Sequence, residues 1–292
     1  NLIGEDGTDT LDGGAGNDTL DGGAGADSIV SGAGNDKISG GDGADTIAND
    51  VGGGSDIIDA GAGNDVVIGG ANADTVDLGD GDDRFDIGAG AGDTQGGGND
   101  VISGGAGNDT ISVGVGNDVV AGGEGNDTVD GGAGDDNIDG GGGNDTLLGG
   151  DGEDTVQGGD GNDVITGGAG EDFLRGGNGD DLFYFATGDS GTTPGSLDQI
   201  LDWQATDALE FGALAAATDG VNYIELTATS YESALDLANT QAGTNLYVVI
   251  QVGDNTVVFV NTDNAGGIDD AVTLVGRTLA DISAANIVDV IP

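Results

Sequence analysis

The amino-acid sequence predicts an all-β solenoid of short parallel strands, followed by a smaller segment of mixed structure. Three observations predict it: a nine-residue period, an aspartate at one fixed place in every repeat, and an apolar residue two places after each aspartate. A fixed period over many copies is typical of repeat architectures, in which each unit packs against its neighbours.

The period is clearest between Gly104 and Asp145, where GGAGNDTIS, VGVGNDVVA, GGEGNDTVD and GGAGDDNID follow one another. If the unit is numbered one to nine, positions one, two and four are mostly glycine, position six is aspartate and position eight is Ile, Val, Leu or Phe. The same register extends over 19 units, and none lacks its aspartate. The position-six aspartates are Asp9, Asp18, Asp27, Asp36, Asp45, Asp56, Asp65, Asp74, Asp83, Asp100, Asp109, Asp118, Asp127, Asp136, Asp145, Asp154, Asp163, Asp172 and Asp181.

Each unit divides into a turn and a strand. Positions one to six are rich in glycine and polar residues, and we expect them to turn, because glycine adopts backbone conformations that other residues avoid. Positions seven to nine alternate outward, inward and outward, as in a short strand. One buried side chain in nine residues stabilises by roughly 1.5–3 kcal/mol, whereas ordering each residue costs about 1–2 kcal/mol. Another interaction is therefore required.

The recurring aspartate indicates a hard divalent cation such as calcium, which takes oxygen ligands from carboxylates and backbone carbonyls. The chain has 55 acidic and 4 basic residues, a formal net charge of −51, and is hard to compact without counter-ions. Histidine, cysteine and methionine are absent, so the soft ligands that zinc, copper or iron select are not available. Acidic, glycine-rich composition is also typical of disorder, which we expect only in the metal-free state.

These units resemble the RTX nonapeptide repeat, GGxGxDxUx, a calcium-binding β-helix repeat, over residues 4–184. The resemblance implies a parallel β-roll in which two units form one coil and calcium lies between stacked turns. It implies that each ion is shared by carbonyls at positions two and four and the aspartate of one turn, and by carbonyls at positions one and three and the aspartate of the next turn on that side. The matching residues are Gly14, Gly16 and Asp18 with Ser31, Ala33 and Asp36 for one ion, and Gly105, Gly107 and Asp109 with Gly122, Glu124 and Asp127 for another. On this scheme roughly 17 calcium ions bind.

Two places break the period. Residues 49–54 contain two extra residues between Asp45 and Asp56, and residues 87–95, IGAGAGDTQ, lie in a longer gap before Asp100. The second is either a protruding loop or a coil with a degenerate turn. Calcium coordination is in doubt at both breaks, because the turns there lose glycines or acids.

Some outward positions are apolar. The spacing predicts that Val101 stacks with Val119 and Val164 with Leu182, and Ile57 with Val66 and Ile68 suggests a further patch. Such residues have high β-propensity, and they could also form a lateral packing surface.

The composition changes after Asp181. The segment LDQILDWQATDALEF, residues 197–211, resembles the cap that closes RTX rolls, with Asp202 or Asp207 as ligands for a last ion. We predict a strand in VNYIELTA, a helix over Ser230–Gln241 and a hairpin of NLYVVIQV and NTVVFVNT. The loop at residues 263–270 is either an acidic surface turn or a cation site. The tail resembles that of secreted S-layer-type RTX proteins, which implies a type I secretion signal.

The predicted domains are a β-roll over residues 1–184 and a mostly-β cap with one helix and a secretion signal over residues 185–292. Asn1, Leu2 and Ile3 occupy positions seven to nine of a unit without its turn, so we expect the sequence to be a fragment.

The chain has no basic patch for nucleic acid, and no apolar run approaches the roughly 18 residues that a membrane span needs. Low cytosolic calcium and the resemblance both imply an extracellular location.

The leading hypothesis is a secreted, calcium-stiffened structural protein of a surface layer, filament or matrix, which self-associates. Without histidine or cysteine, Ser–His, Cys–His and His–metal catalysis are excluded, and the repeat accounts for nearly every acid. We therefore expect no enzymatic activity in this chain. The alternatives are a C-terminal folding and secretion module of a larger secreted enzyme or toxin, and a calcium-dependent adhesin.

Overall fold

The computed structural model describes residues 1–49, 54–70, 72–86, 98–212, 223–241, 247–261 and 267–288. These residues form two compact units, Asn1–Leu147 and Leu148–Pro292. The loop predicted over residues 87–95 lies outside the described residues, as do residues 263–266 of the 263–270 loop.

The first unit consists of two parallel sheets whose strands alternate along the chain. One sheet has the order β1-β3-β5-β7-β9-β11-β13-β15 and the other has the order β2-β4-β6-β8-β10-β12-β14. The strands are β1 (Leu2–Ile3), β2 (Thr10–Asp12), β3 (Thr19–Ala24), β4 (Ser28–Val30), β5 (Lys37–Asp42), β6 (Thr46–Ala48), β7 (Ile57–Ala62), β8 (Val66–Ile68), β9 (Thr75–Asp77), β10 (Arg84–Asp86), β11 (Val101–Ala106), β12 (Thr110–Ser112), β13 (Val119–Glu124), β14 (Thr128–Ala133) and β15 (Asn137–Gly142).

The register confirms a parallel β-roll in which two repeats form one coil. Leu20 of β3 pairs with Ile38 of β5, two repeats later, and Val120 of β13 pairs with Ile138 of β15 in the same way. The strands still pair where the sequence breaks its period. The N–H of Asp36 donates to Oδ1 of Asp56, 20 residues later, and the N–H of Asp83 donates to Oδ1 of Asp109, 26 residues later. The extra residues therefore do not shift the strand pairing.

The position-eight side chains form the interior, as the alternating pattern predicts. Strands β2, β4 and β9 show an exposed, a buried and an exposed residue in succession. All 19 position-eight residues are buried, from Leu11 to Phe183. Each coil therefore contributes two apolar side chains to a narrow core between the sheets.

The second unit contains further parallel strands and a mixed C-terminal sheet. Its strand orders are β16-β18-β20-β22-β27 and β17-β19-β21-β26-β25-β24-β23. The elements are β16 (Thr146–Asp151, which contains the boundary), β17 (Thr155–Asp160), β18 (Val164–Ala169), β19 (Phe173–Asn178), β20 (Leu182–Phe185), β21 (Asp198–Ile200), β22 (Ala208–Phe211), β23 (Tyr223–Ala228), α1 (Tyr231–Gln241), β24 (Tyr247–Val252), β25 (Asn255–Val260), β26 (Asp270–Leu274), two short 3₁₀ helices (Leu279–Asp281 and Ala284–Asn286) and β27 (Ile287–Val288).

The predicted helix and hairpin are both present in this unit. Strands β24 and β25 pair antiparallel around Gly253 and Asp254, and α1 packs its Ala234 and Ala238 against Val248, Ile250 and Phe259. Phe185 stacks on Phe211, which in turn contacts Tyr247. The indole N–H of Trp203 donates to the carbonyl oxygen of Asp281 at 3.0 Å. This apolar layer gives the second unit a larger core than the repeats have.

Two of the predicted outward stacks are present, and the third is wrong. Val101 pairs with Val119 and Val164 with Leu182. Ile57 belongs to β7 in one sheet, whereas Val66 and Ile68 belong to β8 in the other. Ile57 lies one repeat before Val66, and consecutive repeats place their strands in opposite sheets.

Among the described residues, no helix combines the length and the apolar character that crossing a bilayer requires.

Candidate calcium sites

The turns of successive coils lie on top of one another, and glycine permits this contact. Gly123 and Gly125, at positions two and four, have φ values of 119° and 135°, a region that favours glycine. A methyl carbon on either residue would collide with the carbonyl of Gly105 or Gly107 in the preceding coil. The carbonyl oxygens of successive turns are thereby stacked in columns.

The position-six aspartates are fixed in the same columns by hydrogen bonds from the backbone of one aspartate to the side chain of the next aspartate on that side. The N–H of Asp18 donates to Oδ1 of Asp36 at 2.8 Å, and that of Asp109 donates to Oδ1 of Asp127 at 2.8 Å. This bond recurs along both sides of the roll, so it holds one carboxylate oxygen of each position-six aspartate from Asp27 to Asp127 within the turn.

The second carboxylate oxygen, Oδ2, has a different environment. In the described part of the chain it is buried without a hydrogen-bond partner in Asp9, Asp18, Asp27, Asp36, Asp45, Asp65, Asp83, Asp109, Asp118, Asp127, Asp172, Asp181 and Asp198. A buried charge of this kind is costly unless it is paired or coordinates a metal. Asp74 is an exception, since its Oδ2 accepts from the side-chain amide of Asn49.

The space beside this oxygen is kept open by the glycine at position one. A methyl carbon built on Gly122 would lie 2.5 Å from Oδ2 of Asp127 and 2.6 Å from the carbonyl oxygen of Gly140 in the next coil. A carboxylate oxygen and a carbonyl oxygen from consecutive coils therefore converge beside the glycine. Any side chain at this position would displace one of them.

Both predicted six-residue sets are brought together. In the first, the N–H of Ala33 donates to the carbonyl of Gly14 at 2.7 Å, and the N–H of Gly16 donates to the carbonyl of Ala33 at 2.8 Å. In the second, the N–H of Gly107 donates to the carbonyl of Glu124 at 2.8 Å. Each set thus combines two aspartates with backbone carbonyls of adjacent turns, which are the ligand types that calcium takes.

Carboxylates meet in pairs at these turns. Within the described ranges no three acidic side chains converge in a way that could hold an ion by themselves. The donor set fits calcium because backbone carbonyls supply the remaining oxygens. It does not fit a transition metal, which would select nitrogen or sulfur.

Burial raises the pKa of these carboxyl groups. It raises that of Asp65, Asp83 and Asp109 from the ordinary value of 3.8 to about 6, and that of Asp100 to about 7. Hydrogen bonds from the preceding coil lower each pKa, but they are outweighed. The turns therefore disfavour charged carboxylates when nothing neutralises them.

The structure places two aspartates of the cap segment in the same columns: Asp207, which the sequence predicts as a candidate ligand for a last ion, and Asp198, which it does not. The N–H of Asp172 donates to Oδ1 of Asp198 at 3.1 Å, and the N–H of Asp181 donates to Oδ1 of Asp207 at 3.4 Å. The interval from Asp198 to Asp207 is again nine residues, a signal that could have identified Asp198 as well. Asp202 lies outside the columns, where its two oxygens accept the N–H groups of Gly176 and Gly177.

Comparisons with known proteins agree with this geometry. The family described as "RTX calcium-binding nonapeptide repeat (4 copies)" matches residues 3–38, 21–52, 50–85, 96–120, 112–147, 121–156 and 148–183. No curated protein sequence gave a significant match.

Several solved structures are similar to the chain. The R3 subunit of a mannuronan C5-epimerase from Azotobacter vinelandii is 32% identical, with 53% of this chain and 78% of that chain covered and a TM-score of 0.39. The R2 subunit of that epimerase is 30% identical, over 49% and 86% of the two chains, with a TM-score of 0.33. The extracellular lipase LipA of Serratia marcescens is 18% identical, over 82% and 40%, with a TM-score of 0.29.

The position-one glycine can be tested by substitution. Gly122→Ala should destabilise the calcium-loaded protein by about 1–3 kcal/mol, because its methyl group must displace Asp127 or the carbonyl of Gly140. Gly142→Ala is the matched control, since its methyl group would meet only Glu124, at 3.5 Å or more. Urea unfolding followed by circular dichroism measures both; equal losses would contradict the geometry.

A second prediction concerns pH. The raised pKa values exceed that of the unfolded chain, so the folded chain binds more protons between about pH 4 and 7. The metal-free protein should therefore gain strand structure as pH falls from 8 to 5.5, whereas calcium affinity should fall over the same range. Circular dichroism of calcium-depleted protein and calcium titrations at each pH measure the two effects. A metal-free chain that is most ordered at pH 8 would overturn this prediction.

Proposed function

The chain belongs to the family of RTX calcium-binding nonapeptide-repeat proteins, and on that premise we propose that it is a secreted structural protein whose coils fold when calcium binds between them. The observation that supports this proposal most strongly is the row of buried Oδ2 atoms without a hydrogen-bond partner. Bound calcium supplies positive charge to these oxygens.

The proposed ligands are the position-six aspartates together with carbonyls of the glycine turns. In one site, Asp18 and Asp36 act with Gly14, Gly16, Ser31 and Ala33; in another, Asp109 and Asp127 act with Gly105, Gly107, Gly122 and Glu124. The stacked carbonyl columns and the space beside Gly122 support this assignment. Roughly 17 such sites would neutralise about 34 of the acidic charges, which favours a compact state.

Calcium binding at a single turn can be tested with a conservative pair of variants. Asp127→Asn should lower the number of bound ions by at least one and raise the calcium concentration needed for folding, because it removes a charged ligand. Asp130→Asn, on the exposed outer face of β14, makes the same charge change and should alter neither quantity. Elemental analysis of the dialysed protein gives the ion count, and circular dichroism gives the folding midpoint.

Removal of all calcium distinguishes the proposal from a metal-independent fold. In excess EDTA at low salt the strand signal should be lost. Persistence of the strands under these conditions would refute calcium-dependent folding.

We further propose that the protein forms a surface layer, filament or matrix by association of its copies. A row of β-branched residues on the outer face of one sheet supports this role. Ile57, Thr75, Val101 and Val119 are neighbours across four strands, and Ile57, Val101 and Val119 are each about half exposed. A shallow groove runs beside them, lined by Lys37, Asp59 and Asp77 among others.

Extracellular location and type I secretion are part of the same proposal. Calcium sites of moderate affinity require an environment rich in calcium, and the C-terminal tail resembles that of secreted RTX proteins. We assign residues 1–184 to the roll and residues 185–292 to the cap and secretion signal. The complete absence of histidine and cysteine supports a role without catalysis in this chain.

One measurement distinguishes the assembly role from the alternative functions. With calcium, electron microscopy and sedimentation should show ordered assemblies that dissolve after chelation. The double variant Val101→Ser and Val119→Ser should assemble less, whereas Thr110→Ser, at an outward position of the other sheet, should not change assembly. Monodisperse monomers that nevertheless fold with calcium would favour a folding and secretion module of a larger enzyme or toxin, or an adhesin.

A further inference from the structure

Asn49 occupies position one of its turn, where most repeats have glycine. Its backbone N–H donates to the carbonyl oxygen of Ile68 at 2.9 Å, as the N–H of Gly13 and of Ser31 do to the corresponding carbonyls one coil on. The side chain is 5% exposed and points into the interior. Asn49 is therefore seated where the glycine of other turns leaves space beside the aspartate of its own turn, which is Asp56 here, and its side chain reaches Asp74 in the next coil.

The amide of Asn49 uses that space for hydrogen bonds. Its Nδ2 donates to Oδ2 of Asp74 at 3.1 Å, and its Oδ1 accepts from the hydroxyl of Ser31 at 2.9 Å. The orientation of the amide follows from chemistry, because an ionised carboxylate only accepts hydrogen bonds. With the amide reversed, Oδ1 of Asn49 would face Oδ2 of Asp74 and repel it.

Asp74 otherwise resembles the remaining position-six aspartates. It is buried, and its Oδ1 accepts the N–H of Asp56 at 2.8 Å. Its Oδ2 differs: besides the Asn49 amide, it accepts the N–H of Gly70 at 3.4 Å. In the sites assigned above, the corresponding oxygen has no hydrogen-bond partner and is free to bind a cation.

We propose that the Asn49 amide takes the place of a calcium ion beside Asp74, so that the chain itself holds this turn. The inference rests on the proposed calcium-dependent folding, and it lowers the number of bound calcium ions expected below roughly 17. An amide nitrogen carries two hydrogens and offers no lone pair to calcium, which requires six to eight oxygen ligands. The two N–H donors compensate only part of the carboxylate charge, so the turn is less strongly held than a calcium site but does not depend on the calcium concentration.

The first test compares two aspartate variants at saturating calcium. Asp74→Asn should bind as many ions as the wild type, because Oδ2 of Asp74 binds none, whereas Asp127→Asn should bind at least one fewer. Elemental analysis supplies the count, and circular dichroism verifies that each variant is folded. An equal loss of ions in the two variants would overturn the inference while leaving calcium-dependent folding intact.

If Asp74→Asn does not fold, a second variant tests whether the Asn49 amide takes the place of a calcium ion. Asn49→Asp replaces the donating nitrogen by an oxygen of nearly the same size, facing Asp74. The two carboxylates then require a cation, so this variant should bind one more ion than the wild type. Thr46→Asp is the control, since it adds a carboxylate at an exposed outward position of β6, outside the turn, and should leave the count unchanged. An unchanged count in Asn49→Asp would overturn the inference; absence of calcium from the wild type would instead contradict the proposed function.

Discussion

The structure depends on a buried carboxylate oxygen that recurs along the roll and that the protein leaves without a hydrogen-bond donor in most of the described turns. From Asp27 to Asp127, each position-six aspartate is held in the turn because its Oδ1 accepts the backbone N–H of the aspartate one coil before. In most of these turns the other oxygen lies beside backbone carbonyl oxygens of the stacked turns and has no donor among the described residues. An isolated buried charge costs more than the two apolar side chains of a coil return. On the proposed function, folding and cation binding are therefore one equilibrium.

Glycine and aspartate have complementary roles in that equilibrium. The stacking of turns brings carbonyls of consecutive coils into the place where a side chain would otherwise project, as at Gly122. The same contact that excludes a methyl group thus concentrates oxygen atoms around the carboxylate. A glycine at position one is required less for its backbone conformation than for the space it leaves beside Asp127.

Most of the fold and the regular sites could be predicted from the sequence, because each depends on spacing alone. Strand positions, their burial and the pairing of Gly14 with Ala33 follow from the nine-residue period. The places of Asn49 and Asp198 could not be predicted in this way. Two residues are inserted near Asn49, and only its hydrogen bond to Ile68 shows which residue takes position one. Asp198 follows Asp172 by 26 residues, so an enlarged turn hides its membership of the column.

The residues that replace glycine at position one differ in chemistry from one turn to the next. Ser31, Ala60, Leu78 and Val113 replace glycine there, and each is fully buried. Ala60, Leu78 and Val113 add apolar area to the narrow interior, whereas Ser31 joins the hydrogen-bonded chain through Asn49 to Asp74. These residues all lie between positions 31 and 113, the part of the chain that also contains both breaks in the period. Where the turn departs from the repeat, the chain therefore supplies hydrophobic contacts or hydrogen bonds of its own. At Asp74 a side-chain amide takes up the carboxylate oxygen, whereas Asp36, Asp65 and Asp83 keep a buried Oδ2 without a hydrogen-bond partner in the described part of the chain.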